Sequence, residues 1–389
     1  MADYQILRPP PHRHRTLWVL LAVVVVVAVG IGAFAIGKHN TSAKGTGRAT
    51  SGSTTTRPAV ALTVASTTPA TGAVGVASNQ SVSIQFSSPV VRGSAMPTFT
   101  PPVNGSWQRS TPTTLTFVAA APFIPTTSET LTIPSGAAGP HGANGATLAA
   151  PTTVTFSVAQ ASTERLQQLL AQLNFLPLSF TPAAPLISPA QAATAQDGSF
   201  SWRWPGTPDA LTSLWTEGSE NVITKGALMS FENQNRLTVD GLAGKQVWAT
   251  LLADVTSNKV NVNPYTYVLV SKQLPQNLTL FVNGAPTMAN VAVNTGAPGA
   301  DTVDGTFPVF EHVPSSRMQG TNPDGSKYDD PNVPWASYFN GGDALHGFVR
   351  ATYGSPQSNG CVEMPVATAA QVWPLTPAGT LVTVTGPPS

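Results

Sequence analysis

Proline and glycine punctuate this chain, 36 and 33 of its 389 residues, and that frequency excludes long uninterrupted helices over most of its length. Proline removes a helix donor and glycine weakens helix interiors, so the chain builds short strands joined by turns. An apolar fraction of 41% over this length supports two to four domains. With 19 basic and 18 acidic side chains the net charge is +1, which leaves no electrostatic footprint for nucleic acid. The single cysteine, Cys361, excludes an intramolecular disulfide and a cysteine-based metal site. The six histidines are dispersed, with only His12 and His14 close together. No metal and no cofactor are expected.

Thr16 to Gly37 are 22 uncharged, mostly apolar residues, about 33 Å as a helix, which matches the hydrocarbon thickness of a bilayer. Arg8, Arg13 and Arg15 precede the stretch and Lys38 follows it. The positive-inside bias therefore predicts a cytoplasmic tail over 1–15, a transmembrane helix over 16–37 and everything later outside. A cleaved signal peptide ending near Ala33-Phe34-Ala35 is the alternative, but the apolar stretch is longer than such segments. Residues 38–58 read as a flexible linker, since 41–58 hold twelve Ser, Thr or Gly in eighteen and cannot bury a core.

Over 59–158 the pattern has period two, as in Val82-Ser83-Ile84-Gln85-Phe86, Thr114-Leu115-Thr116-Phe117 and Thr153-Val154-Thr155-Phe156. Half-buried antiparallel strands in a sandwich follow. The segment Pro69-Ala70-x-Gly72-Ala73-x-Gly75-Val76, with the Val82 strand, resembles bacterial immunoglobulin-like domains. The period changes near residue 160: Leu166, Leu169, Leu170 and Leu173 make the stripe of an amphipathic helix. A second helix is read over Ala227–Glu232. The stretch Leu237-Thr238-Val239-Asp240-Gly241-x-Ala243-Gly244-x-x-Val247-Trp248 resembles the end of the three-helix peptidoglycan-binding repeat. Residues 160–258 are thus expected to be a small helical module interrupted by an insertion over 179–222.

From Tyr265 period two returns through Tyr265–Val270, Leu278–Val282, an Asn283-Gly284 hairpin turn and Val291–Val293. Gly305-Thr306-Phe307, His346-Gly347-Phe348, Ser358-Asn359-Gly360-Cys361-Val362-Glu363 and Gly379-Thr380-Leu381-Val382 follow in order. Residues 312–343, rich in Gly, Pro and Asn around Met318, Tyr328, Trp335, Tyr338 and Phe339, read as a long ordered loop over the site and not as a strand pair. A cysteine nucleophile needs a nearby base or cation, because its thiol is mostly protonated at neutral pH. His346 is the histidine close to Cys361 in sequence, and the amides of Asn359, Gly360 and Cys361 are candidate oxyanion donors.

This set resembles the L,D-transpeptidase family of cell-wall cross-linking enzymes, over 262–386. The resemblance implies Cys361 as nucleophile, His346 as general base and Gly347 as the residue whose backbone orients that base. It further implies two-step acyl transfer between peptidoglycan stem peptides, from a tetrapeptide donor to an amine acceptor, or to water in a carboxypeptidase side reaction. Tyr338, Trp335 and Ser358 are candidate substrate contacts, and Arg317 and Arg350 are candidates to grip stem carboxylates. Two positions depart from the family pattern. Asn359 replaces a histidine and cannot titrate. Glu363 stands where Arg or Asn is common and is expected to point away or to pair with a cation such as Arg350. The fold expected is mainly β and multidomain: transmembrane helix, Ig-like sandwich, small helical module and β-rich catalytic domain. The rivals are a decayed wall-binding protein and a sortase-like protein transpeptidase, although the Thr-Leu-x-Thr-Cys strand of sortases is missing around Cys361.

Overall fold

The computed structural model describes residues 61–386. The expected cytoplasmic tail, transmembrane helix and linker lie outside the described residues. Among the described residues no helix is long and apolar enough to cross a membrane.

The first domain is a two-sheet sandwich. One sheet joins β1 (Val64–Thr68), β3 (Val82–Phe86), β6 (Thr114–Ala119) and β5 (Gly105–Thr111); the other joins β2 (Ala73–Val76), β8 (Thr152–Val158), β7 (Ser128–Ile133) and β4 (Thr98–Thr100). Alternation decides which side chains face inward. Val82, Ile84 and Phe86 of β3 meet Leu131 and Ile133 of β7 and Val154, Phe156 and Val158 of β8 in one core.

Helix α1 (Thr163–Gln172) starts where the Ser162 side chain accepts from the Arg165 amide, a capping contact. The 179–222 stretch is not shapeless: β9 (Leu178–Pro182) pairs antiparallel with β10 (Gly198–Trp202), and a short α2 (Asp209–Thr212) follows. Helices α3 (Val222–Gln234) and α4 (Lys245–Thr256) complete the segment. Their core is continuous with that of the following domain. Leu169, Leu170, Phe231, Trp248 and Leu251 share one apolar cluster with Tyr267 and Leu381 of the following domain.

That domain holds two sheets. The larger has the order β13 (Ala285–Ala292), β12 (Asn277–Val282), β11 (Thr266–Ser271), β19 (Leu381–Thr385), β14 (Gly305–Pro308). The smaller has the order β15 (Glu311–Thr321), β16 (Lys327–Asn340), β17 (Asp343–Gly347), β18 (Val362–Met364). Strands β11 and β19 run parallel and are covered on both faces. Tyr267 and Leu381 turn to the helices, while Val268, Val270, Val382 and Val384 turn to Leu345, Val362 and Met364 of the smaller sheet. Burial on both faces explains why these strands read as continuous apolar runs. Helix α5 (Val366–Val372) follows β18 and adds Ala369 and Val372 to the same core.

One expectation is overturned here. Residues 312–343 form the β15–β16 hairpin, paired from Glu311↔Tyr338 to Thr321↔Lys327. Most of β15 is exposed or half-buried, so no inward apolar set marks it in the sequence, and Pro314, Pro331 and Pro334 counted against strands. The Asn322-Pro323-Asp324-Gly325 turn closes it, with the Gly325 amide donating to the Asn322 carbonyl and the Asn322 amide to that of Ser326.

Candidate active site

Strand register assembles the site. Tyr338 pairs with Ala344 across β16 and β17, and Leu345 pairs with Val362 across the parallel β17 and β18. Cys361, the residue before β18, therefore stands beside Ala344, and period two turns Ala344 and His346 to the same face as Cys361 and Glu363.

His346 is 2% exposed. Burial, only partly offset by the Gly347 carbonyl and the Glu363 charge, lowers its pKa and favours the neutral ring. Its Nδ1 lies 3.1 Å from the Gly347 carbonyl oxygen. A carbonyl only accepts, so Nδ1 carries the proton and Nε2 keeps a free lone pair. That is the tautomer of a base. Phe348 stands edge-on to the ring at 6.0 Å.

The Cys361 Sγ lies 3.6 Å from the Gly342 carbonyl. Burial pushes the thiol up to about 12, the Ala344 amide works against this, and Asp343 and Glu363 add to it. Burial thus favours a neutral thiol on Cys361 and a neutral imidazole on the neighbouring strand. An unassisted thiol that ionises near its usual value of about 8.5 is not what this pocket provides.

The loop carrying Cys361 is tied down from several sides. The Ser358 hydroxyl donates to the Cys361 carbonyl at 2.6 Å and accepts from the Gly360 amide at 3.3 Å. Thr302 Oγ1 donates to the Gly360 carbonyl at 2.7 Å. The Asn359 side chain donates from Nδ2 to Asn322 Oδ1 at 2.7 Å, so the tip of the β15–β16 hairpin is fastened two residues before Cys361. Gly360 has φ +107°, and a Cβ there would sit 2.4 Å from Asp343 Oδ1. Asp343 itself accepts from Asn340 at 3.3 Å, and burial raises its pKa to about 6, against the pull of the Asn340 and Val303 donors.

Several sequence-derived contacts stand elsewhere than expected. Ser358 is 2% exposed and its hydroxyl is spent inside the loop, so it is a staple and not a substrate contact. Of the three candidate oxyanion amides, that of Gly360 faces this hydroxyl. Arg317 is held by Asp329 on the exposed hairpin, Nε to Oδ1 at 2.7 Å. Arg350 has its fork filled by Glu363, at 2.8 and 2.7 Å. Both guanidiniums already face an acid of this chain. Trp335 packs on Trp373 at 5.3 Å at the base of the hairpin. Tyr338 pairs with Ala344, the neighbour of Cys361 across the sheet; burial raises its pKa, and its hydroxyl shares a 2.7 Å hydrogen bond with Ser316. Nothing in the sequence spacing marks Asp343, an acid three residues before the histidine.

Residues 265–384 match the family model of the L,D-transpeptidase catalytic domain, and residues 58–158 match that of a bacterial Ig-like domain. A comparison with curated proteins finds no match. Among solved structures, an L,D-transpeptidase from Mycobacterium smegmatis is 13% identical, with 84% of this chain and 100% of that chain covered and a TM-score of 0.29. L,D-transpeptidase 3 from Mycobacterium tuberculosis, in complex with a faropenem-derived adduct, is 13% identical over 83% of this chain and 98% of its own, with TM-score 0.29. The catalytic domain of the E. faecium L,D-transpeptidase is 23% identical over 32% of this chain and 100% of its own, with TM-score 0.28. The family-model matches establish an L,D-transpeptidase catalytic domain of the YkuD family at 265–384, preceded by a bacterial Ig-like domain at 58–158.

Proposed function

We propose that the chain cross-links peptidoglycan stem peptides through a thioester on Cys361. The observation that carries this reading is the buried, neutral His346, its Nδ1 bound to the Gly347 carbonyl, on the strand beside the nucleophile. Nε2 takes the thiol proton as Sγ attacks the carbonyl of the third stem residue. The tetrahedral intermediate collapses, the C–N bond breaks, and the terminal D-Ala amine leaves with that proton. An acceptor amine then attacks the thioester, gives its proton back to Nε2, and the sulfur departs and is reprotonated. Water in place of the amine makes the step hydrolytic. Amides of Asn359 and Cys361 supply the oxyanion contacts in this scheme. The apolar stretch 16–37 and the arginines before it support an outward-facing enzyme on a membrane anchor, spaced from the membrane by the linker and the Ig-like domain.

Incubation of the purified chain with disaccharide tetrapeptide tests the reading. Mass spectrometry of the products should show released D-Ala and a cross-linked dimer, and Cys361→Ala should give neither. A wild-type chain that leaves the tetrapeptide intact defeats the assignment.

A further inference from the structure

The loop that joins base to nucleophile carries an ion pair for which the acyl transfer has no use. Residues 348–358 leave β17 after His346 and Gly347 and return at Cys361. From this loop Arg350 reaches Glu363, whose side chain is 5% exposed against 31% for the arginine. The pair is bidentate, Nε to Oε2 at 2.8 Å and Nη2 to Oε1 at 2.7 Å. The same Nη2 donates to the Gln357 carbonyl at 3.2 Å, and the guanidinium lies 4.7 Å over the Phe348 ring. Asn294, fully buried, holds the loop from behind. Its Oδ1 accepts from the Gly354 amide at 3.1 Å and the Gln357 side chain at 3.2 Å, while its backbone exchanges two hydrogen bonds with Glu363.

His346 and Glu363 are register partners, with Cys361 two residues back, so thiol, imidazole and carboxylate share one face. We propose that Arg350 and Glu363 are positioning residues for the nucleophile and its base, a charge clamp that closes the 348–358 loop and neutralises a carboxylate the site could not otherwise tolerate. This rests on the reading of Cys361 and His346 given above. A bare carboxylate at 363 opposes thiolate formation and favours a charged imidazole, and both are wrong for a base that must start neutral. Arg350 cancels that field and, through its fork, fixes the loop that sets the spacing of His346 and Cys361. The other charged or titratable groups around the pair are Asp343 on β17, Tyr338 and Asp330 on β16, and Tyr353 in the loop itself, whose hydroxyl accepts from the Arg350 backbone amide at 3.2 Å, and these stay unchanged in the variants below.

Because Cys361 is the only cysteine of the chain, alkylation by iodoacetamide, followed by intact mass between about pH 6 and 10, reports this thiol alone. Arg350→Gln should displace the alkylation profile to higher pH by about one unit, roughly tenfold less reaction at neutral pH. Glu363→Gln should displace it to lower pH, and the double variant R350Q/E363Q should fall between the two. Arg350→Lys, which keeps the charge and loses the fork, should leave the profile near that of the wild type while slowing acylation by a carbapenem. A merely structural brace would lower stability without separating the profiles by charge. Superimposable profiles for wild type, R350Q and E363Q overturn the proposal; should R350Q fail to fold, E363Q and the double variant carry the same comparison. Wild-type carbapenem acylation, run in parallel, judges the enzyme reading separately: no adduct defeats that reading, while the alkylation profiles still decide the clamp.

Discussion

Replacing His346 with Ala should lower carbapenem acylation of Cys361 by about 10²- to 10⁴-fold at neutral pH, the usual worth of a positioned general base. At the middle of that range the barrier rises by about 4 kcal/mol. The loss should persist across pH 6 to 9. Burial pushes the thiol well above its usual range, so alkaline solution up to pH 9 supplies little thiolate. Recovery of the rate near pH 8.5, the behaviour expected of an exposed thiol, would show that the pocket opens to water once the imidazole is gone. Intact-mass kinetics of the adduct measure it, with His346→Gln as a variant that keeps more of the buried volume. An unchanged neutral-pH rate in both variants removes His346 from the role of base.

The second large effect is on stability and comes from Gly379. Its φ is +91°, and a Cβ there would lie 2.1 Å from Ser230 Oγ and 2.4 Å from the Gly226 carbonyl. Gly226 and Ser230 belong to α3, so the turn before β19 and the helix meet backbone to backbone. Gly379→Ala adds a strained dihedral to a clash that flexible side chains cannot relieve, together about 4 kcal/mol. The sandwich has a core of its own and should be spared. Calorimetry should therefore show the transition of the helical and catalytic block moving down while the Ig-like transition stays. A common shift of both, or none, would contradict the packing described.

What the sequence discloses divides along physical lines. The inward sets of β3, β6 and β8 and the apolar run of β11 are visible because alternation or continuous burial writes itself into residue type. His346, Gly347 and Cys361 are visible because their chemistry is rare and their order is shared with a family. The hairpin was hidden, since strands solvated on most of their surface need no apolar alternation, and only the Asn-Pro-Asp-Gly turn signalled it. The partners of Arg317 and Arg350 were hidden for another reason. A guanidinium suits any carboxylate, and which acid reaches it, Asp329 from the facing strand or Glu363 from beyond the nucleophile, is decided by register and loop path. The pairing of Glu363 with Arg350 was anticipated only as one of two alternatives. The placing of Asp343 at the start of β17 and the inward turn of Ser358 in the loop before β18 depend on backbone direction, which residue identity does not encode.

The double coverage of β11 and β19 also fixes where this protein can be cut. A fragment beginning near residue 262 would keep every residue of the proposed chemistry, yet it would bare Tyr267 and Leu381, which are 1% exposed in the intact chain, together with Leu269 and Phe281 beside them. Such a surface drives self-association more readily than catalysis. A soluble fragment of this chain is accordingly expected to start before α1, with the helices serving as the sheet's third layer.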